Sequence, residues 1–143
     1  MADDDAQTLA QRSADAMWAA DRATRALGMK IESVAPGRSV LSMTVRADMI
    51  GPGGQCSRGA MFLLADSALA FAVNSRGHRV VLQSCDVVFD GAVGLGEELV
   101  ADARERHLFE RKGICDVRVT TRAGRVLAEF RGHSHRLKGR LVA

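Results

Sequence analysis

The stretch Ala60–Val73 reads AMFLLADSALAFAV, and it decides the fold of this 143-residue chain. One acid, Asp66, stands in this largely apolar run. At helical spacing the acid shares its face with three apolar residues, Phe62, Leu69 and Val73. A carboxylate on such a face loses water, which raises its pKa and suits a general base or a nucleophile. The alternative is a structural Asp66 that accepts hydrogen bonds from backbone or hydroxyl groups.

The composition is that of a soluble globular domain of ordinary size. The chain is 47% hydrophobic and 26% charged, and it is long enough to bury its own core. Asp66 and Ser67 break the longest apolar run, so we expect no membrane span and no membrane partner. The start, Met1–Asp5, is acidic, which excludes a secretory signal and favours the cytoplasm. We expect a single domain over residues 1–143, disordered at about residues 1–5.

Three cysteines, an odd number with no close pair, argue against a disulfide framework and against a zinc knuckle. They are Cys56, Cys85 and Cys115. We expect reduced thiols that serve packing. His133 and His135 would share one face of a strand, but no nearby Asp, Glu or Cys completes a metal site. We therefore expect no metal and no cofactor.

The remaining patterns predict an antiparallel sheet around the Ala60–Val73 helix. In chain order they predict a helix over Ala6–Leu27, a hairpin over Met29–Val45, a loop over Arg46–Arg58, the central helix over Gly59–Ser75, and strands over Val80–Phe89, Leu99–Arg106, Ile114–Thr121 and Arg125–Ser134. Since helices and strands do not alternate, the fold class is α+β rather than α/β. One face of the sheet packs on the helix, and the other faces solvent or a partner.

The segment Cys56–Ser75, CSRGAMFLLADSALAFAVNS, resembles the signature of hotdog-fold thioesterases of the phenylacetic acid degradation (PaaI) type. In that family the segment reads Cys-His-Gly-Gly, then an apolar helix with Leu-Ala-Asp, then Asn-Ser. Three further segments, Ala26–Gly28, Leu41–Val45 and Phe130–Arg136, are similar to the same family. The resemblance therefore spans nearly the whole chain.

The resemblance implies a hotdog fold, in which an antiparallel sheet wraps around the central helix and an N-terminal helix precedes it. It also implies a homodimer formed through the strands, often paired into a homotetramer. The implied activity is hydrolysis of an acyl-CoA thioester, with an aryl-acyl (phenylacetyl-like) or medium-chain acyl group. Asp66 takes the place of the catalytic carboxylate, acting as general base or nucleophile. A backbone N–H of Arg58, Gly59 or Ala60 would polarise the thioester carbonyl.

Three positions depart from the family pattern. Gly51 stands at the family's loop Asn, Ser57 at its His, and Arg58 at the first Gly of its Gly-Gly pair. We keep Gly51, Ser57, Phe62 and Ser67 as substrate-contacting positions, and Arg58 would add a cation beside the developing oxyanion. The alternative is an acyl-CoA-binding hotdog protein with weak turnover, because the polar groups that orient thioester and water are lost.

The end of the chain carries four cations without an acid, Arg131, Arg136, Lys138 and Arg140. One interpretation is a solvated basic tail over residues 136–143. The other is a phosphate site, in which Arg131, His133, Arg136 and Lys138 bind CoA. Five Phe, one Trp and no Tyr provide no stacking platform for single-stranded nucleic acid, so we expect no nucleic-acid partner.

Overall fold

Six antiparallel strands form one sheet that wraps around the central helix, as the sequence predicts. The computed structural model describes residues 2–143, and the side chains from residue 5 onward. The helices are α1 (Ala2–Ala20), α2 (Arg22–Ala26) and α3 (Arg58–Val73). The strands are β1 (Lys30–Ala35), β2 (Arg38–Thr44), β3 (His78–Phe89), β4 (Glu98–Phe109), β5 (Lys112–Thr121) and β6 (Val126–Arg140), in the sheet order β1-β2-β4-β5-β6-β3. No helix of the described chain is long and apolar enough to cross a bilayer.

Helix α3 fills the concave side of the sheet because its flanks are slim. Ala65, Ala68 and Ala72 are at most 1% exposed, and the hydroxyl of Ser39 on β2 donates to the Ala68 carbonyl at 2.6 Å. At the end of α3, the Asn74 amide donates to the carbonyls of Ala70 and Val80 and accepts from the Val80 N–H. Asn74 thus fastens the end of α3 to the start of β3.

The N-terminal segment differs from the single predicted helix. It forms two helices that are separated at Asp21. The backbone of Asp21 is extended, and its side chain caps α2 by accepting from the Thr24 N–H at 2.9 Å. An Asp followed three residues later by Thr favours such a break over a continuous helix. Helix α1 begins at Ala2, and Met1 lies outside the described residues.

The basic end of the chain is a strand rather than a loose tail. Strand β6 continues to Arg140, six residues beyond the predicted end at Ser134, and it pairs with both β5 and β3. The extension beyond His135 pairs with β3, from Val80↔Arg136 to His78↔Arg140, and this pairing overrides the weak strand propensity of Gly139 and the charges around it. Strand β3 occupies the sheet edge, and its other side pairs with no strand of the described chain.

Candidate active site

The Asp66 carboxylate lies on the third turn of α3, half-buried. This carboxylate accepts no hydrogen bond from the described residues. Burial raises the pKa of Asp66, and the negative charge of Asp21 raises it further. A carboxylate that is poorly hydrated and has no donors binds a proton readily, which is what a general base requires.

The inner side of β3 forms the wall opposite Asp66. Cys85 faces the acid, and the pKa of its thiol is raised by burial, then by the charges of Asp66 and Asp86. One helical turn before the acid, the Phe62 ring packs on the Phe130 ring of β6, with centroids 5.4 Å apart and planes tilted by 57°. Phe130 is buried in the core and Phe62 is half-buried, so only the Phe62 ring stays partly accessible near Asp66, where it could contact an acyl group.

The start of α3 offers two unused backbone donors. The hydroxyl of Ser57 caps the helix by accepting from the Ala60 N–H at 3.2 Å, which removes Ala60 from the predicted donors. The N–H groups of Arg58 and Gly59 donate to none of the described residues. A Cβ on Gly59 would meet only the Ser57 hydroxyl, at 3.9 Å, so this side is open. These donors and the helix dipole suit a developing oxyanion.

A cavity of about 440 Å³ opens at this end of α3. Its lining residues are Gly51, Pro52, Gly53, Gln55, Cys56, Ser57, Arg58, Met61, Gly91 and Ala92. The Gly51 N–H is used within the loop, where it donates to the Gln55 carbonyl at 2.8 Å. The Arg58 guanidinium lies 5.7 Å from the centre of the Phe89 ring, a cation–π contact with the end of β3. The predicted positions Gly51, Ser57 and Arg58 are thus brought together, and Asp66 lies outside this cavity.

The four predicted phosphate-binding residues do not converge. Arg131 lies on the outer sheet face and binds both carboxylate oxygens of Asp116, at 2.7 and 2.9 Å. His133 lines a separate outer hollow of about 430 Å³. Arg136 instead lines a small cleft that also contains Arg76 and His78, and Lys138 is exposed.

The cleft around Arg136 has more cations than acids, since Arg76, Arg111 and Lys112 line it together with Glu105 and Glu110. Burial lowers the pKa of His78, and the charges of Arg136, Arg140 and Arg76 lower it further. Arg76 is paired with the buried Glu105, whereas the Arg136 guanidinium has no acidic partner among the described residues. Sequence alone could not show this cluster, because it joins the end of β6 to the start of β3 and the end of α3.

Ser67 and Asp21 complete the surroundings of Asp66. The Ser67 hydroxyl lies 2.9 Å from the Thr24 hydroxyl of α2, rather than projecting alone toward a substrate. Asp21 was not among the predicted site residues, although the spacing of Asp21 and Thr24 is a capping pattern. Cys85 was expected to serve packing alone, and only the sheet topology places it opposite Asp66.

Comparison with known proteins identifies the family. No family model matches the chain. The chain is 36% identical over 133 residues to acyl-coenzyme A thioesterase PaaI of Escherichia coli K12, covering 93% of this chain and 95% of that protein. The solved structure of the E. coli PaaI protein matches with a TM-score of 0.92 and 36% identity, over 94% of this chain and 97% of that one. A mutant of the phenylacetic acid degradation protein PaaI from Thermus thermophilus matches with a TM-score of 0.79 and 37% identity, over 82% of this chain and 100% of that one. This chain therefore belongs to the PaaI family of acyl-CoA thioesterases, thioester hydrolases with the hotdog fold.

Proposed function

We propose that the chain hydrolyses an aryl-acyl (phenylacetyl-like) or medium-chain acyl-CoA thioester, with Asp66 as the catalytic carboxylate. The observation that carries the proposal is the half-buried Asp66 carboxylate, which has a raised pKa and no donor among the described residues. The half-buried Phe62 ring, one helical turn from Asp66, suits the acyl group. The phenylacetic acid degradation named for the Thermus relative supports an aryl substrate.

As a general base, Asp66 takes a proton from water while the water oxygen attacks the thioester carbonyl. The carbonyl electron pair moves to oxygen, where the N–H of Gly59 or Arg58 stabilises it. Collapse of this intermediate breaks the C–S bond, and the proton held by Asp66 passes to the departing CoA sulfur. As a nucleophile, Asp66 would instead form an acyl anhydride that water then hydrolyses. In a single turnover in ¹⁸O-water, ¹⁸O in Asp66 would establish an anhydride that water opens at the Asp66 carbonyl, since the general-base route cannot label this carboxylate.

We also propose that the site is shared between two copies of the chain. Gly59 precedes Asp66 by seven residues, which is about 10 Å along a helix axis. One carbonyl group does not span that distance. The oxyanion donors of one copy therefore face the carboxylate of the other across the interface.

The outer sheet face, covered by exposed arginine–carboxylate pairs, is where two such dimers would pair into a tetramer.

The edge strand β3 is where we expect the two copies to meet. Its backbone is unpaired on one side, and Val81 and Val88 are exposed. A long unprotected edge with apolar side chains readily accepts another strand.

We expect sedimentation to give at least twice the 15.3 kDa mass of one chain. Gln83→Asp, near the middle of β3, should weaken this assembly because it sets like charges against each other. A fully active monomer would contradict the shared site.

The cationic cleft of Arg136 is the proposed site for the CoA phosphates, with Lys138 beside it on β6. We expect the double variant Arg136→Ala with Lys138→Ala to raise KM for acyl-CoA about tenfold or more, because a charged hydrogen bond is worth about 1.5–3 kcal/mol. A short pantetheine thioester should be hardly affected. Arg118→Ala is the matched control, since Arg118 pairs with Glu129 on the outer face. A KM rise on Arg131→Ala alone would move the phosphate site to the outer face.

The second candidate is an acyl-CoA-binding protein with weak turnover. Two observations favour it: the Ser57 hydroxyl is occupied as a helix cap, and Gly51 has no side chain to orient a water. Release of free thiol from a panel of acyl-CoA thioesters, measured beside calorimetric binding of the same ligands, tests the two functions. Turnover supports the hydrolase, and binding without turnover selects the binding protein.

The three free cysteines are consistent with the cytoplasm as the proposed compartment.

A further inference from the structure

A chain of hydroxyl hydrogen bonds connects α2 to α3 beside Asp66. The Thr24 hydroxyl lies 2.6 Å from a carboxylate oxygen of Asp21 and 2.9 Å from the Ser67 hydroxyl. A carboxylate accepts, so the Thr24 proton points to Asp21. Ser67 must then donate its proton to the Thr24 oxygen. The direction of the chain is therefore fixed, from Ser67 through Thr24 to Asp21.

This chain fixes the Asp21 carboxylate from two sides. Asp21 also accepts from the Thr24 N–H at 2.9 Å as the cap of α2. Thr24 is buried, with 2% of its surface exposed, so water competes little for these bonds. Ser67 is the residue after Asp66 on α3. The same bonds that join the two helices thus place a negative charge beside the turn that carries Asp66.

We propose that Asp21 is a positioning residue of the active site, held by Thr24 and Ser67 so that its charge acts on Asp66. The inference rests on the proposed role of Asp66. The charge of Asp21 opposes ionisation of Asp66 and so adds to the effect of burial. It brings the proton affinity of Asp66 closer to neutral pH, where a general base works best.

No other charge among the described residues has a comparable effect on Asp66. The wall on β3 presents the Cys85 thiol, which is neutral at pH 7 because burial and nearby acids raise its pKa. The aromatic contact between α3 and β6, Phe62 with Phe130, has no charge. Asp21 on α2 is the charged group that acts on the acid. Its removal should therefore show directly in the pH dependence of catalysis.

The first test is Asp21→Asn, which removes the charge and keeps an amide oxygen to cap α2. We expect the acid limb of the kcat/KM profile to move to lower pH, and the displacement to shrink as salt is added. Asp15→Asn, on the exposed face of α1, is the matched control and should leave the limb in place. An unmoved limb in Asp21→Asn overturns the proposal.

The second test is Thr24→Val, which keeps the shape of the side chain and removes its hydroxyl. Both hydrogen bonds of the chain are lost, and we expect kcat to fall about tenfold with little change in KM. Thr24→Ser restores the hydroxyl and should recover most of kcat. If Thr24→Ser is as impaired as Thr24→Val, or if neither is impaired, the hydroxyl chain has no positioning role.

Asp66→Asn separates failure of this inference from failure of the proposed function. An active Asp66→Asn variant refutes Asp66 as the base. An inactive Asp66→Asn variant together with an unmoved acid limb in Asp21→Asn refutes only the role of Asp21.

Discussion

The Asp66→Asn variant is expected to lose two or more orders of magnitude in kcat at neutral pH. The amide cannot take a proton from water or attack the thioester, and loss of a general base costs about 10²–10⁴-fold. KM should change little, because the asparagine is nearly isosteric. Thiol release from acyl-CoA at saturating substrate measures the loss. Turnover close to that of the wild type would remove Asp66 from the mechanism.

The same variant should be more stable than the wild type at pH 7. The folded-state pKa of Asp66 is raised above its ordinary value of 3.8. The native state therefore binds the proton of the Asp66 carboxyl group more tightly than the unfolded chain does. The stability that Asp66 contributes is fully present below the ordinary pKa and is lost as pH rises through the folded pKa. Asparagine does not ionise and avoids this loss. Thermal unfolding should show a higher Tm for Asp66→Asn at pH 7 and no advantage below about pH 4. A lower Tm at pH 7 would indicate a structural carboxylate.

The Gly132→Ala variant is expected to lower the free energy of unfolding by about 1–3 kcal/mol. A Cβ at Gly132 would overlap the Leu69 side chain of α3 and would lie 2.8 Å from Leu82 of β3. Both side chains belong to the packed seam between helix and strand, so they must shift against their neighbours. Urea unfolding measures the change.

Gly94→Ala is the matched control for Gly132→Ala, because no atom lies within 4 Å of a Cβ at Gly94. We expect this control to unfold like the wild type. Equal stability of the two variants would mean that α3 does not need the close approach at Gly132. Because Cys85 pairs directly with Gly132, a shift there also moves the wall opposite Asp66.

The central helix was predictable because its pattern is local. Ala60–Val73 contains the small residues that let a sheet wrap closely and the acid that we propose as catalytic. Both can be recognised within about four helical turns. The β1–β2 hairpin was predictable for the same reason, since a Pro-Gly turn lies between two runs of β-formers. The family resemblance added the acyl-CoA thioesterase chemistry and the expectation of a dimer, which no periodicity supplies.

The remainder depends on pairings between distant segments. The break at Asp21 was missed because a helical composition was given more weight than a capping pattern. The end of β6 was missed because its charged residues become a strand only by pairing with the distant start of β3. Arg131 and Arg136 are near each other in sequence, yet one pairs with Asp116 on the outer face and the other enters the cleft with His78. Because side chains alternate between the two faces along β6, Arg131 and Arg136 lie on opposite faces of the sheet. Neither this alternation nor the β3–β6 register can be read from a run of basic residues.

The position of β3 also affects the order in which the protein folds. Its neighbour in the sheet is β6, although β4 follows it in the chain, so its contacts close a much longer loop than those of the β4–β5 or β5–β6 hairpin. Closing a longer loop costs more entropy, and such pairings form late. The wall opposite Asp66 is therefore joined to the sheet after the β4–β5 and β5–β6 hairpins, as is β2, whose pairing with β4 closes a still longer loop. In mild denaturant the β3 edge should open before those hairpins, so that catalytic competence disappears while β4, β5 and β6 are still paired.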